Sequence, residues 1–312
     1  MTRHRSLHEA LHQYLTLRRT LGFKLTTTGH LLGQFVDYLD IQQATTVTIE
    51  DALAWATLPA GASSTWHSIR LSTVRGFAAY LHGLDPTVAV PPADLLRHGN
   101  DRVTPYLYSD TEIRALLTAA GALRPTFRAA TYQAPIGLLA ASGIRIGEAI
   151  ALDTTDLDPA DGGQLLIRRT KFGKDRLVPL HPSTTQALVD YRTLRDQQHP
   201  HPRCPALLVS TVGTRLHHSN IGLVFNRLTA QAGITRRSAT CRPRMHDVRH
   251  SFAVATLTDW YRTGADVPAL LPRLATYLGH TDPKNTFWYL STAPELMALA
   301  GQRLDTHLAG QQ

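Results

Sequence analysis

Cysteine is nearly missing from this chain: its 312 residues include two, Cys204 and Cys241, and neither sits in a CxxC pair. That spacing indicates neither a disulfide framework nor a zinc knuckle, and two lone thiols fit a reducing, cytoplasmic setting. Long apolar runs are missing too. None approaches the ~18 residues a membrane span requires. The opening residues, MTRHRSLHEA, lack the apolar core of a secretory signal, so no membrane partner is expected. Carboxylate-rich clusters are absent, which leaves the sixteen histidines poorly placed to build a metallohydrolase centre. Neither internal repeats nor low-complexity tracts occur. Lysine is the last scarcity. Four lysines stand against 28 arginines, and two of the four are Lys171 and Lys174.

What is present points to a folded, basic protein. Hydrophobic residues make up 43% of the chain and charged residues 18%, enough apolar material for packed cores. The length suggests two domains. Net charge is +8 and the pI about 9.8, a balance that suits a polyanion such as nucleic acid. The charge is concentrated. Residues 201–250 hold eight arginines and one acid, Asp247, and could line a phosphate-facing surface. Within that stretch Arg236, Arg237, Arg242 and Arg244 are candidate DNA-binding residues.

Periodicity predicts a mainly α fold with one small β-sheet or hairpin, in a two-domain arrangement. Residues 1–97 read as an N-terminal helical domain, 98–105 as a linker and 106–312 as the second domain. In the first, Leu7, Leu11, Tyr14, Leu15, Leu21 and Phe23 recur at helical spacing. Thr26 to Thr28 offer caps for a second helix, and Thr48 for a third. A fourth, at about 65–82, turns Ile69, Val74, Phe77, Ala78 and Leu81 inward. Asp85-Pro86 and Pro91-Pro92 then break the pattern. In the second domain Ser109 or Asp110 caps a helix. Another, at about 126–141, ends at Ser142-Gly143, and a third begins near Arg145. Residues 164–169 and 176–180 read as two strands around Phe172-Gly173-Lys174. The tail at 294–308 reads as an amphipathic helix.

Five segments carry chemistry: Ser142-Gly143-Ile144-Arg145-Ile146-Gly147-Glu148, Thr170-Lys171-Phe172-Gly173-Lys174, His246-Asp247-Val248-Arg249-His250, Leu278-Gly279-His280 and Phe287-Trp288-Tyr289. Attack on a phosphodiester builds negative charge on the phosphoryl oxygens, and needs a nucleophile and a proton for the leaving oxygen. Two arginines and a histidine can meet that charge as fixed donors, where many nucleases use two metal ions. His246 and Arg249 are three apart and share a helical face. His246 and His250 have zinc-like spacing, but the glutamate of HExxH and a third ligand are lacking, so no metal is expected. Each residue alone also has an ordinary reading. Arg145 suits a surface ion pair with Glu148, and Tyr289 suits a core position. Lys171 is harder to dismiss. A lysine kept in so arginine-rich a chain suits proton donation, because arginine holds its proton too tightly.

Taken in order, these segments resemble the tyrosine recombinase (phage integrase) family, including its Xer-like members. The resemblance is strong over about 105–305, while the N-terminal unit matches the family's core-binding domain in size and placement. It implies a site-specific recombinase that cuts and rejoins DNA through a 3′-phosphotyrosine intermediate, in integration, excision or transposition of a mobile element. Tyr289 matches the nucleophile. Arg145, Arg249 and His280 match the residues that stabilise the phosphoryl oxygens. Lys171 matches the lysine that protonates the leaving oxygen, with Lys174 as its competitor, and His246 a proton-transfer position. Glu148 matches a supporting acidic residue. The implied partners are double-stranded DNA and three further copies in a homotetramer on two synapsed sites, bridged by the C-terminal helix. No cofactor is implied. A type IB-like topoisomerase and a catalytically inactive DNA-binding protein are the alternatives. The segment between Arg249 and His280 is longer than in compact Xer-type members.

Overall fold

The computed structural model describes residues 6–96, 104–168, 175–280, 282, 284–292 and 294–309. The chain divides into two units, Met1–Arg102 and Val103–Gln312. Unit 1 contains α1 (Leu7–Thr20), α2 (Thr26–Ile41), α3 (Ile49–Thr57) and α4 (Ser64–His82). Ser6 begins α1 with a reciprocal capping box: its hydroxyl accepts from the Glu9 amide and the Glu9 carboxylate accepts from the Ser6 amide. Thr48 caps α3 as its sequence suggests. Leu32, Phe35, Val36, Leu39, Trp55, Val74 and Phe77 fill the core.

Three expectations for this unit need correction. The α1 helix stops at Thr20, so Leu21 and Phe23 lie beyond its apolar face and are exposed. The threonines at 26–28 are inside α2, whose N-cap is Leu25 in a left-handed conformation with no side-chain cap. Ile69 is 42% exposed, while its neighbour Arg70 is 7% exposed. The helical repeat explains this last result. Arg70 lies four residues before Val74 and seven before Phe77, so it shares their face, and Ile69 does not. The buried guanidinium sits 3.6 Å above the Trp55 ring and donates to the Trp55 carbonyl at 2.7 Å.

Unit 2 begins with α5 (Asp110–Gly121), α6 (Thr126–Ser142) and α7 (Ile146–Ala151). Ser109 caps α5 in a second reciprocal box with Glu112. A three-stranded antiparallel sheet follows, in the order β1 (Leu157–Asp158), β2 (Gln164–Ile167), β3 (Arg176–Pro179). Leu165 faces Val178 across the β2–β3 pair, and both are fully buried. The two strands expected at 164–169 and 176–180 are therefore shorter, and the sequence carries no signal for β1, because two residues are too few to show a period of two. The rest is α8 (Pro182–Gln198), α9 (His218–Gln231), α10 (Met245–Arg262), α11 (Val267–Leu278), α12 (Lys284–Thr292) and α13 (Pro294–Ala309).

Two buried clusters organise this unit. One joins the sheet to α5 through α9 around Leu116, Ile136, Leu139, Leu165, Val178 and Phe225. The other joins α10 through α13 around Ala253, Leu257, Leu271, Leu274, Leu278, Tyr289 and Leu296. The α6 helix packs against α10 and so brings the two clusters together.

Candidate active site

The site is assembled where helix ends meet. The first end is that of α6. Gly143 takes the left-handed conformation, φ +60°, and closes the helix with its amide on the Leu139 carbonyl at 2.9 Å. A Cβ at this position would lie 2.3 Å from Cδ1 of Phe252, so both the backbone and the space require glycine. Two residues later Arg145 is the N-cap of α7. Its amide donates to Glu148 Oε2 at 2.9 Å and its Nη1 to Oε1 at 2.9 Å, which is the pairing the three-residue spacing predicts.

The second end is that of α11, where Gly279 (φ +68°) forms the C-cap. A helix end leaves carbonyls without intrahelical partners and carries the negative pole of the macrodipole. Here three successive carbonyls each accept from an arginine. The Tyr277 carbonyl accepts from Nε of Arg176 at 3.0 Å, Leu278 from Nη2 of Arg249 at 2.7 Å and Gly279 from Nη2 of Arg145 at 3.2 Å. Arg249 also donates through Nη1 to the Gly143 carbonyl at 2.8 Å, which ties the ends of α6 and α11 together. Arg176, on β3, completes the cluster by gripping Glu148 with both amino groups, at 3.1 and 2.8 Å.

This clustering shapes the charges. Burial raises the Glu148 pKa, but the Arg176 hydrogen bonds, the Arg145 amide and both guanidinium charges outweigh it and hold the carboxylate at about 2. Burial, with Arg145 nearby, lowers Arg249 to about 10. An arginine destabilised in this way by burial and by a like charge would be relieved by an anion placed between the two.

The α10 and α12 helices supply the remaining groups. His246, Arg249 and His250 project from the first turns of α10, and Tyr289 from the middle of α12. Tyr289 is 2% exposed. Its ring stacks on His280 with centroids 6.0 Å apart and lies 5.4 Å from His250. His250 in turn meets His246 at 4.8 Å and Trp288 at 5.2 Å. His280 is fixed by Thr286, whose Oγ1 is 2.7 Å from its Nδ1. Burial raises the Tyr289 pKa, while the charge and hydrogen bond of Arg249 and the charge of Arg145 pull it back. The histidines are kept neutral. Burial first and then the arginines hold His280 at about 4, and burial with His246 holds His250 at about 3. The His246 pKa is lowered chiefly by desolvation, then by Arg249.

Arg145, Glu148, His246, Arg249, His280 and Tyr289 thus come together, whereas Lys171 and its competitor Lys174 lie outside the described residues. Three further residues belong to the arrangement. In the sequence Arg176 is marked only as the start of a strand and Thr286 by no signal, while His250 has zinc-like spacing from His246 without the other ligands. The arginine-rich stretch divides in two. Arg237 lies over the Tyr106 ring and pairs with Glu112, Arg244 pairs with Asp247, and Arg215 donates to the Ile150 and Leu152 carbonyls. Arg203, Arg227, Arg236 and Arg242 are exposed. Among the described residues no group of three or more His, Cys, Asp or Glu side chains is arranged to hold a metal ion, and no helix is long and apolar enough to cross a membrane.

Comparison with known proteins agrees with this architecture. Residues 107–295 match the model of the phage integrase family. The integrase/recombinase candidate y4rB of Sinorhizobium fredii is 42% identical over 307 residues, covering 96% of this chain and 97% of its own. The tyrosine recombinase XerD of Caulobacter vibrioides is 32% identical over 241 residues, covering 73% and 71%. Among solved structures, the XerH site-specific recombinase in a post-cleavage complex with its difH substrate aligns with a TM-score of 0.64 at 17% identity, covering 90% of this chain and 80% of that one. The fold is thus shared with a recombinase, and the family match together with y4rB and XerD places this chain in the phage integrase family of tyrosine recombinases.

Proposed function

We propose that this chain performs site-specific recombination with Tyr289 as the nucleophile. The tyrosine attacks a scissile phosphate, a 3′-phosphotyrosine bond forms, and the 5′-hydroxyl leaves. Because the phosphodiester energy is kept in the covalent link, rejoining needs no external energy source. The observation that carries this reading is that Arg145, Arg249 and His280, from three separate segments, converge beside one buried tyrosine. Arg145 and Arg249 stabilise the developing charge on the phosphoryl oxygens and His280 donates to one of them. The fixed positive charges of the two guanidiniums supply what metal ions supply in other phosphoryl-transfer sites. Arg249 also lowers the cost of forming the phenolate. His246 orients the phosphate and takes part in proton transfer, Lys171 protonates the leaving oxygen, and Glu148 positions Arg145. Since Tyr289 is packed away in the free protein, α12 must shift locally when DNA binds.

The partner is double-stranded DNA, and four copies act together on two paired sites, with the C-terminal α13 as the element exchanged between neighbours. Arg236 and Arg242 face the phosphate backbone, and Arg237 and Arg244 hold their segment while contributing to the same positive surface. The substrates are the ends of a mobile element. The decisive experiment uses a nicked duplex that carries the sequence flanking the protein's own gene. The wild-type protein should form a covalent adduct in EDTA, and Tyr289→Phe should bind the duplex and form none. An adduct from Tyr289→Phe would remove Tyr289 from this role.

A further inference from the structure

We propose that Arg176 is a positioning residue for strand cleavage, acting on Arg145 through Glu148 and through the end of α11. The inference rests on the role given above to Arg145. A carboxylate offers about four lone-pair sites, and those of Glu148 are all in use. Oε1 accepts from Nη1 of Arg145 and Nη1 of Arg176, and Oε2 accepts from the Arg145 amide and Nη2 of Arg176. One negative charge is therefore shared between two guanidiniums. Arg176 and Glu148 are each only 11% exposed at the side chain, against 35% for Arg145. The buried partner bears most of the compensation, and Arg145 keeps net positive charge facing outward.

Arg176 also holds the element that Arg145 leans on. Its Nε caps the Tyr277 carbonyl, two residues before the Gly279 carbonyl that receives Arg145. Contact with the helix end is close enough that a Cβ on Gly279 would lie 2.7 Å from Nη1 of Arg176. His280 follows directly, so the same contact sets where its backbone begins, and Thr286 then fixes the ring. Without Arg176, the whole charge of Glu148 would fall on Arg145, drawing its fork inward and cancelling its field at the phosphate. The Tyr277 carbonyl would lose its donor at the same time.

The test uses the full-length chain and the nicked duplex described above. Single-turnover adduct formation is followed at increasing protein, and binding is measured by gel shift on the intact duplex. Arg176→Ala should lower the cleavage rate at saturation about 100-fold, the scale of a misplaced catalytic group, and leave DNA affinity within about threefold. Arg176→Lys restores the charge without the two-pronged grip and should stand about tenfold below wild type. Adding Glu148→Gln to Arg176→Ala removes the uncompensated charge and should recover about tenfold in rate. The proposal is overturned if Arg176→Ala cleaves within about threefold of wild type, if its loss is matched by an equal loss of affinity, or if the Glu148 and Arg176 losses multiply. Should Arg176→Ala lose its cooperative thermal melt, Arg176→Lys decides: a slower rate with affinity intact supports the proposal, and a wild-type rate overturns it. A wild-type protein that forms no adduct, or a Tyr289→Phe protein that forms one, instead overturns the proposed function on which this inference rests.

Discussion

Arg249 has two jobs, because its guanidinium is both a candidate catalytic cation and a structural bolt. It is 2% exposed, and its two amino groups satisfy the Gly143 and Leu278 carbonyls at the ends of different helices. Arg249→Ala would leave two buried carbonyls unsatisfied, at a cost of about 2–4 kcal/mol in total. Arg249→Lys should also lose stability, since one ammonium cannot span both acceptors. Urea unfolding at neutral pH would measure this. Tyr289→Phe removes a hydroxyl and little packing, so its midpoint should stay near that of the wild type. A wild-type midpoint for Arg249→Ala would mean that the helix ends are held by something else. Cleavage should respond as well. The Arg249 charge opposes the burial that raises the Tyr289 pKa, so surviving activity in Arg249→Ala should move to higher pH, and less so in Arg249→Lys, which keeps the charge.

Two glycines close to each other in sequence illustrate how an element is placed. Gly143 ends α6 at φ +60° with the Phe252 ring of α10 where a Cβ would stand, whereas Gly147 lies within α7 with nothing within 4 Å of its would-be Cβ. Gly143→Ala therefore combines a left-handed alanine with a clash against a half-buried ring. It should destabilise by roughly 2–4 kcal/mol and disturb Arg249 through the Gly143 carbonyl. Gly147→Ala should be neutral or stabilising by up to about 1 kcal/mol, because it restricts the unfolded chain without meeting an obstacle. Paired denaturant melts of the two variants check this, and equal effects would contradict the packing described here. The same logic explains the C-terminal region. Leu296 of α13 is buried in the cluster that holds Tyr289, while Met297 is exposed, so α13 begins as part of its own unit's core.

For the whole molecule, the charged centre sets the response to acid. His250 and His280 have folded pKa values of about 3 and 4 against 6.5 for the free side chain. Below pH 6.5 the unfolded chain takes up protons that the folded chain refuses, so stability falls as pH drops from 6.5 toward 4. Glu148 adds a second loss. Its folded value of about 2 lies below the ordinary 4.5 of a free glutamate, so its contribution, on the order of 3 kcal/mol, is complete above pH 4.5 and disappears as pH falls toward 2. Thermal melts from pH 7.5 to 3 should show an early decline that begins near 6.5 and a steeper one below 4.5. His250→Gln should flatten the first limb. A midpoint unchanged between pH 6.5 and 4.5 would show that the folded chain takes up these protons as readily as the unfolded one.

Much of this protein could be read from its residues in order. Ser109 and Thr48 marked helix starts, Ser142-Gly143 marked a helix stop, and Arg145, His246, Arg249, His280 and Tyr289 stood in a sequence whose combination is rarer than any member. Local chemistry suffices for such features, because a cap or a left-handed glycine is decided within a turn of the chain. Contacts between distant segments are not encoded locally, and there the tertiary structure decided. Only the fold shows that Arg176, 28 residues from Glu148, fills its carboxylate, that Arg70 rather than Ile69 faces the core of unit 1, and that half of a basic stretch is engaged by ion pairs and backbone carbonyls of its own chain. The sequence by itself determined the set of chemical groups and the helices that carry them. The packing of α6, α10, α11 and α12 against one another determined which of those groups share one field, since charge and hydrogen bonding act through space and not along the chain.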